Sequence, residues 1–147
     1  VWDCDLEKQA HNWVAKCPTG PELSKGENFY RGPGVQVRIL NFLSQSVTEW
    51  WKVFRSVDGP GASALYTSSH EGTRIDSYTQ MAWAKTRYLG CSIARCGDDF
   101  VESCRYRVIG NTPGENMYET GRACTNCPTG SACNVGSPGY TADGLCG

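Results

Sequence analysis

Few side chains in this sequence could take part in bond-making chemistry, and their spacing narrows what that chemistry could be. There are two histidines, His11 and His70, and nine cysteines among 147 residues. Ser77 lies in the run Asp76-Ser77-Tyr78-Thr79-Gln80-Met81-Ala82-Trp83, and as a nucleophile it would need a base placed against it. Neither histidine is placed by sequence to serve. His11 stands in a helical pattern with no second ligand at i+4 and reads as a surface or partly packed residue. His70 stands beside Glu71 in a small, polar stretch and reads as a solvated loop histidine. Only Cys124-x-x-Cys127 has the close spacing of a zinc pair, and no histidine lies near it. The Asp76–Trp83 run interleaves the anchors Tyr78, Met81 and Trp83 with the hydrogen-bonding Ser77, Thr79 and Gln80, as a segment does when it lies under a cleft.

Nine cysteines together with 17 glycines and 7 prolines point to an oxidising compartment, where loop-rich domains are stapled by disulfides. Secretion is therefore expected. The odd count leaves one cysteine free, bonded between chains, or bonded to a segment outside this sequence. With 14 Lys+Arg against 15 Asp+Glu the net charge is -1, which favours neither nucleic acid nor an anionic membrane as partner. No run approaches the roughly 20 apolar residues of a membrane span. The length suits one domain with a hydrophobic core. The oligomeric state is not legible.

The elements that must hold these residues read as follows. Trp2, Leu6, Ala10, Trp13, Val14 and Cys17 recur at steps of three and four, which predicts a helix from Trp2 to Cys17 with Asp3 and Asp5 in its first turn. Gly26–Tyr30 reads as a short extended segment and Arg31-Gly32-Pro33-Gly34 as a turn. A second helix is predicted from about Ser46 to Val57, with Val47, Trp50, Trp51, Phe54 and Val57 on one face and Ser46-x-x-Glu49 as a capping box. Ala62–Gly72 reads as surface loop, and helical spacing runs from Ile75 to near Lys85. Leu89–Cys96 and Phe100–Ile109 read as an antiparallel pair around Gly97-Asp98-Asp99, with Phe100, Glu102, Cys104, Tyr106 and Val108 on one face. Beyond Gly110 the apolar content collapses, so the Cys-rich tail must be held by its disulfides.

Asp76-Ser77-Tyr78-Thr79-Gln80-Met81-Ala82-Trp83-Ala84-Lys85-Thr86 resembles the first signature of the CAP superfamily, G-H-Y-T-Q-x-x-W-x-x-(S/T). Cys104-Arg105-Tyr106-Arg107-Val108-Ile109-Gly110-Asn111 resembles the second, C-x-Y-x-P-x-G-N, with Val108 in place of proline. Trp2-Asp3-Cys4, Gly26-Glu27-Asn28 and Val47-x-x-Trp50-Trp51 follow the family's order, and the tail is similar to that of nematode Ancylostoma-secreted and venom-allergen-like members. The resemblance implies an α+β fold, an α-β-α sandwich around a three-stranded antiparallel sheet, with a CAP domain over residues 1–111 and a Cys-rich tail over 112–147. It also implies disulfides Cys17–Cys96 and Cys91–Cys104, while the tail cysteines Cys124, Cys127, Cys133 and Cys146 allow three pairings. The family's leading helix is not found before Trp2. By resemblance the odd cysteine is Cys4, with a partner upstream of Val1.

Many CAP proteins carry two histidines and two glutamates in a central cleft, a set that binds zinc in some. Carried over by position, the set becomes Glu27, Val53, Ser77 and the loop at Pro21, on a framework of Tyr78, Thr79, Gln80 and Trp83. One carboxylate cannot hold zinc, so no cofactor and no enzymatic activity are expected. The resemblance points instead to a secreted parasite effector that binds a host cell-surface receptor, of the integrin type on platelets or leukocytes, and blocks adhesion. The loops Arg31–Gly34 and Val57–Gly72 are its candidate contacts. A lipid or sterol carrier using the Trp50, Trp51 and Phe54 region is the alternative, and a metal-dependent hydrolase a third reading.

Overall fold

A computed structural model describes residues 1–133 except 36, 123, 126 and 128. The first helix, α1, spans Cys4–Val14, and its N-cap is Asp3, whose Oδ1 accepts from the amides of Asp5 and Leu6 at 2.9 and 3.1 Å. Leu6, Ala10 and Val14 form its buried stripe. Three strands follow the pattern Glu27–Pro33 (β1), Tyr88–Cys96 (β2) and Asp99–Arg107 (β3), in the antiparallel order β1-β3-β2. Helix α2 spans Ile39–Lys52 and α3 spans Asp76–Met81.

The alternation along β3 divides the core into two layers. Val101 packs with Val14 of α1, whereas Cys104 and Tyr106 pack with Trp50 of α2 and Met81 of α3. The central strand is therefore covered on both faces, and every residue from Phe100 to Tyr106 is buried. Cys91 and Cys104 stand directly opposite in the β2–β3 register and are joined by a disulfide, while Cys17–Cys96 ties the end of α1 to the end of β2. These are the pairings the resemblance implies. Cys124 is bonded to Cys133, Cys127 is also in a disulfide, and Cys4 is free and exposed. Cys146 lies outside the described residues. Among the described residues no helix is long and apolar enough to cross a membrane.

Several sequence expectations are corrected. Helix α2 begins seven residues before Ser46 (46 − 39), because Phe42, Ser46 and Trp50 at i, i+4 and i+8 make its buried face. Ser46 is thus internal to the helix, its hydroxyl turned to Glu102 and the Leu43 carbonyl, and no capping box forms with the exposed Glu49. Only Trp50 of the expected apolar face is fully buried within the helix; Val47, Trp51 and Phe54 are exposed. Arg31–Pro33 is the end of edge strand β1 rather than a turn, a place where proline is tolerated. Within the expected surface loop, Ala64 and Tyr66 are fully buried and pack with Trp83 and Met117. Met117 is the one clear apolar anchor beyond Gly110 in that cluster; its amide donates to the Ala64 carbonyl at 2.8 Å, and the Tyr66 amide donates to the Glu115 carbonyl at 3.0 Å.

Candidate functional site

Of the four positions carried over from the family's set, Glu27, Val53 and Ser77 hold side chains engaged in the fold. Glu27 opens β1 with its side chain fully buried: Oε2 accepts from the amides of Glu22 (3.0 Å) and Leu23 (2.8 Å), and Oε1 accepts from the Ser103 hydroxyl at 2.7 Å. The guanidinium of Arg105, itself nearly buried, lies 3.9 Å away and pairs with Glu22. Val53 is buried at the start of a single 3-10 turn, Val53–Arg55. Ser77 Oγ donates toward the carbonyls of Trp50 and Arg74, both at 3.2 Å, tying α3 to α2. Pro21 is exposed in the loop before β1.

The framework residues clamp one signature block to the other. Gln80 Oε1 accepts from the Gly110 amide at 2.9 Å, and its Nε2 donates to Thr86 Oγ1 at 3.1 Å. Thr79 Oγ1 donates to Asn111 Oδ1, and the Asn111 amide group donates to the Asp76 carbonyl. A Cβ on Gly110 would fall 2.7 Å from the Trp83 ring, so that ring closes directly on the backbone. Tyr78 is half-buried: it packs against the Trp83 and Met117 cluster and against Trp51 and Phe54, with ring centroids 5.1 Å apart in each of the last two cases. These residues position a surface; none is left with a free nucleophile or base.

Two other polar groupings were not foreseen from the sequence. Glu102, in the middle of β3, is 2% exposed beneath α2 and accepts from Ser46 Oγ. Burial pushes its carboxyl up to about 7, partly offset by the Ser46 hydrogen bond. It lies close to the sulfurs of Cys91 and Cys104, but a disulfide has no thiolate to give a metal. Neither this cluster nor the cleft positions fit the zinc that the fold family implies.

The second grouping is an open cleft of about 540 Å³ lined by Val57, Asp58, Ser69, His70, Thr73 and Arg74. His70 is half-buried rather than freely solvated: its Nδ1 accepts from the Thr67 amide at 2.9 Å and its ring lies 5.4 Å from that of Tyr66. Of this lining the sequence reading names Val57 and His70 and includes Asp58 and Ser69 in the Val57–Gly72 loop, whereas Thr73 and Arg74 are not among its candidates. Asp58 lies twelve positions before His70 and Arg74 four after it, in a stretch that reads as loop, and no local pattern announces that the three share a wall.

A three-stranded antiparallel sheet between helices, with the two signature blocks locked together by hydrogen bonds, defines the CAP class of protein. The chain belongs to the cysteine-rich secretory protein family, CAP, whose sequence model matches residues 1–108. It is similar to the Ancylostoma secreted protein of Ancylostoma caninum, 31% identical over 156 residues, which covers 99% of this chain and 35% of that protein. Among solved structures, Na-ASP-1 matches with a TM-score of 0.82 at 29% identity, covering 100% of this chain and 37% of that one. Hookworm platelet inhibitor matches with a TM-score of 0.66 at 25% identity, covering 90% and 69%. The chain thus spans little more than a third of the first two proteins.

Proposed function

We propose that this protein is a secreted parasite effector that binds an integrin-type adhesion receptor on host platelets or leukocytes and inhibits adhesion or aggregation. The observation that carries this reading is the state of the four cleft positions: Val53 and Pro21 bring no ligand, and the Glu27 carboxylate and Ser77 hydroxyl are consumed by hydrogen bonds within the fold. A fold emptied of that chemistry serves as a scaffold for its surface. The similarity to an Ancylostoma secreted protein and to hookworm platelet inhibitor supports secretion and a host protein as partner. We read the protein as non-enzymatic on the same ground, and residues 112–147 as a tail appended to a CAP domain.

The contact surface we favour is the 57–72 loop together with Trp51, Phe54 and Tyr78. Trp51 and Phe54 are 44% and 43% exposed and flank Tyr78, and large aromatics are the side chains that contribute most at protein interfaces. The Lys25-Gly26-Glu27 tripeptide is a poor integrin ligand: Lys25 pairs with Glu71 and the Glu27 carboxylate is buried. Static adhesion of platelets and neutrophils to immobilised ligand, measured against protein concentration, tests the reading. Saturable inhibition is expected, and none at high concentration rejects it.

A further inference from the structure

We propose that the cleft between Val57-Asp58 and residues 69–74 binds a carboxylate-bearing sugar, such as a sialic or uronic acid unit of a glycan. The lining is fixed from behind. The Thr67 amide donates to His70 Nδ1, so the ring hydrogen sits on Nε2, the nitrogen left open. Thr73 Oγ1 donates to the His70 carbonyl at 2.7 Å, and Asp76 Oδ2 accepts from the Gly72 amide at 2.8 Å, which sets the turn between them. Arg74 and Asp58 are both exposed at the cleft and have no side-chain partner among the described residues. Of the other nearby acids, Glu71 pairs with Lys25 and Asp76 accepts from Tyr66 Oη and the Gly72 amide, while Asp58, on the same cleft, makes no ion pair with Arg74.

The chemistry of this wall is selective. Arg74 offers a planar fork of donors that matches a carboxylate, and His70 Nε2 adds another donor. Asp58 offers only acceptors, which vicinal hydroxyls satisfy. A metal cation is disfavoured by Arg74 and a dianionic sulfate or phosphate by Asp58. An acidic peptide side chain would engage Arg74 but brings no hydroxyls for Asp58. A ring that holds a carboxylate and hydroxyls within a few ångströms of one another uses both, and Val57 supplies an apolar contact for its C–H face. The cleft, at about 540 Å³, admits one or two such units. A single histidine with a backbone amide on Nδ1 and no carboxylate behind it is not arranged as a general base, so binding, not hydrolysis, is assigned.

This assignment rests on the receptor-binding reading for the source of the sugar, a host cell-surface glycan. Saturation-transfer NMR with N-acetylneuraminic acid, glucuronic acid, glucose and glutarate tests it directly on the intact protein. Saturable binding of at least one acidic sugar is expected, with a Kd of about 1 mM or tighter, and no signal from glucose. The two acids separate a sialylated from a uronate-bearing source. Arg74→Ala and Asp58→Ala, at exposed side chains without protein partners, should each weaken acid-sugar binding about tenfold, roughly 1.4 kcal/mol, with unchanged melting temperature. No binding by either acid overturns the proposal, as does acid-sugar binding that survives Arg74→Ala. Glutarate binding as tightly as the sugars and not weakened by Asp58→Ala overturns it in favour of an acidic peptide. The adhesion assay tells the two readings apart: inhibition by a parent protein that binds neither acid rejects the sugar site and leaves the receptor reading standing, whereas sugar binding without any inhibition does the reverse.

Discussion

Thr79 Oγ1 donates to Asn111 Oδ1 at 2.7 Å, joining α3 to the turn after β3 through two buried side chains. The Asn111 Nδ2 group returns to the Asp76 carbonyl at 2.9 Å, so both functions of the amide are used. Thr79→Val keeps the shape and removes the donor, leaving a buried acceptor unpaired. A loss of about 1–3 kcal/mol is expected by urea denaturation, with most of it recovered in Thr79→Ser. A Thr79→Val protein as stable as the parent would show that the two signature blocks are held by packing alone.

Glu27 and Arg105 lead to a second prediction. Truncating Glu27 to Ala strips three hydrogen-bond donors of their acceptor and leaves Arg105, whose side chain is 5% exposed, with the partly exposed Glu22 as its remaining carboxylate. Removing one partner of a buried charged group costs about 3–5 kcal/mol. Added zinc should shift the melting temperature of neither the parent nor the variant, because the carboxylate is engaged in the fold in one and missing in the other. A zinc-dependent rise in the parent that Glu27→Ala abolishes would return Glu27 to a ligand role.

The Glu102 carboxyl makes stability depend on pH in the direction opposite to that of an ordinary salt-bridged acid. Its ordinary value is 4.5 and burial raises it to about 7. The folded state therefore holds a proton that the unfolded state has released, so its stabilisation is complete below about pH 4.5 and is lost as pH rises to about 7. The size is about 3 kcal/mol across that window. Glu102→Gln, which keeps an acceptor for Ser46, should flatten this segment of the stability profile measured by chemical denaturation. An unchanged slope in Glu102→Gln would assign the pH dependence elsewhere.

How much of this was legible follows from where each residue's partners lie. The face alternation of β3 was readable because a strand's period is local: Cys104 and Tyr106 do fall on one layer and Val101 on the other. The start of α2 was not, since Leu40 and Val47 are apolar yet exposed, and the true stripe includes a serine whose acceptor is 56 positions away. Periodicity counts a serine as polar and cannot see that partner. The candidate cleft was legible only in part: the Val57–Gly72 loop is a candidate contact in the sequence, but Thr73 and Arg74, which complete the lining, lie outside it. Asp58 reads locally as part of a helix-stopping turn, and only the folded chain brings it to the wall that holds His70 and Arg74. The Tyr78-Thr79-Gln80 framework was found by resemblance. Its physical meaning, a clamp on Gly110 and Asn111, became visible only from the hydrogen bonds.

Gly90 supplies the last prediction, since it sets how closely α1 can lie on the sheet. A Cβ there would fall 2.2 Å from the Glu7 amide nitrogen, 2.6 Å from the Asp3 carbonyl oxygen and 2.7 Å from the Leu6 carbonyl carbon. All three are backbone atoms of the capped first turn, so no rotamer change relieves the contact. Gly90→Ala must therefore push α1 away from β2, loosening Leu6 and Ala10 from the core and straining the Asp3 cap. Overpacking a rigid contact costs about 1–3 kcal/mol, and the upper end or beyond is expected here because backbone meets backbone. Hydrogen exchange should localise the damage to residues 3–14 and β2 while α2 and α3 keep their protection, because those helices pack on the opposite face of β3. Uniform loss of protection across both layers would mean that α1 and the α2 layer unfold as one unit.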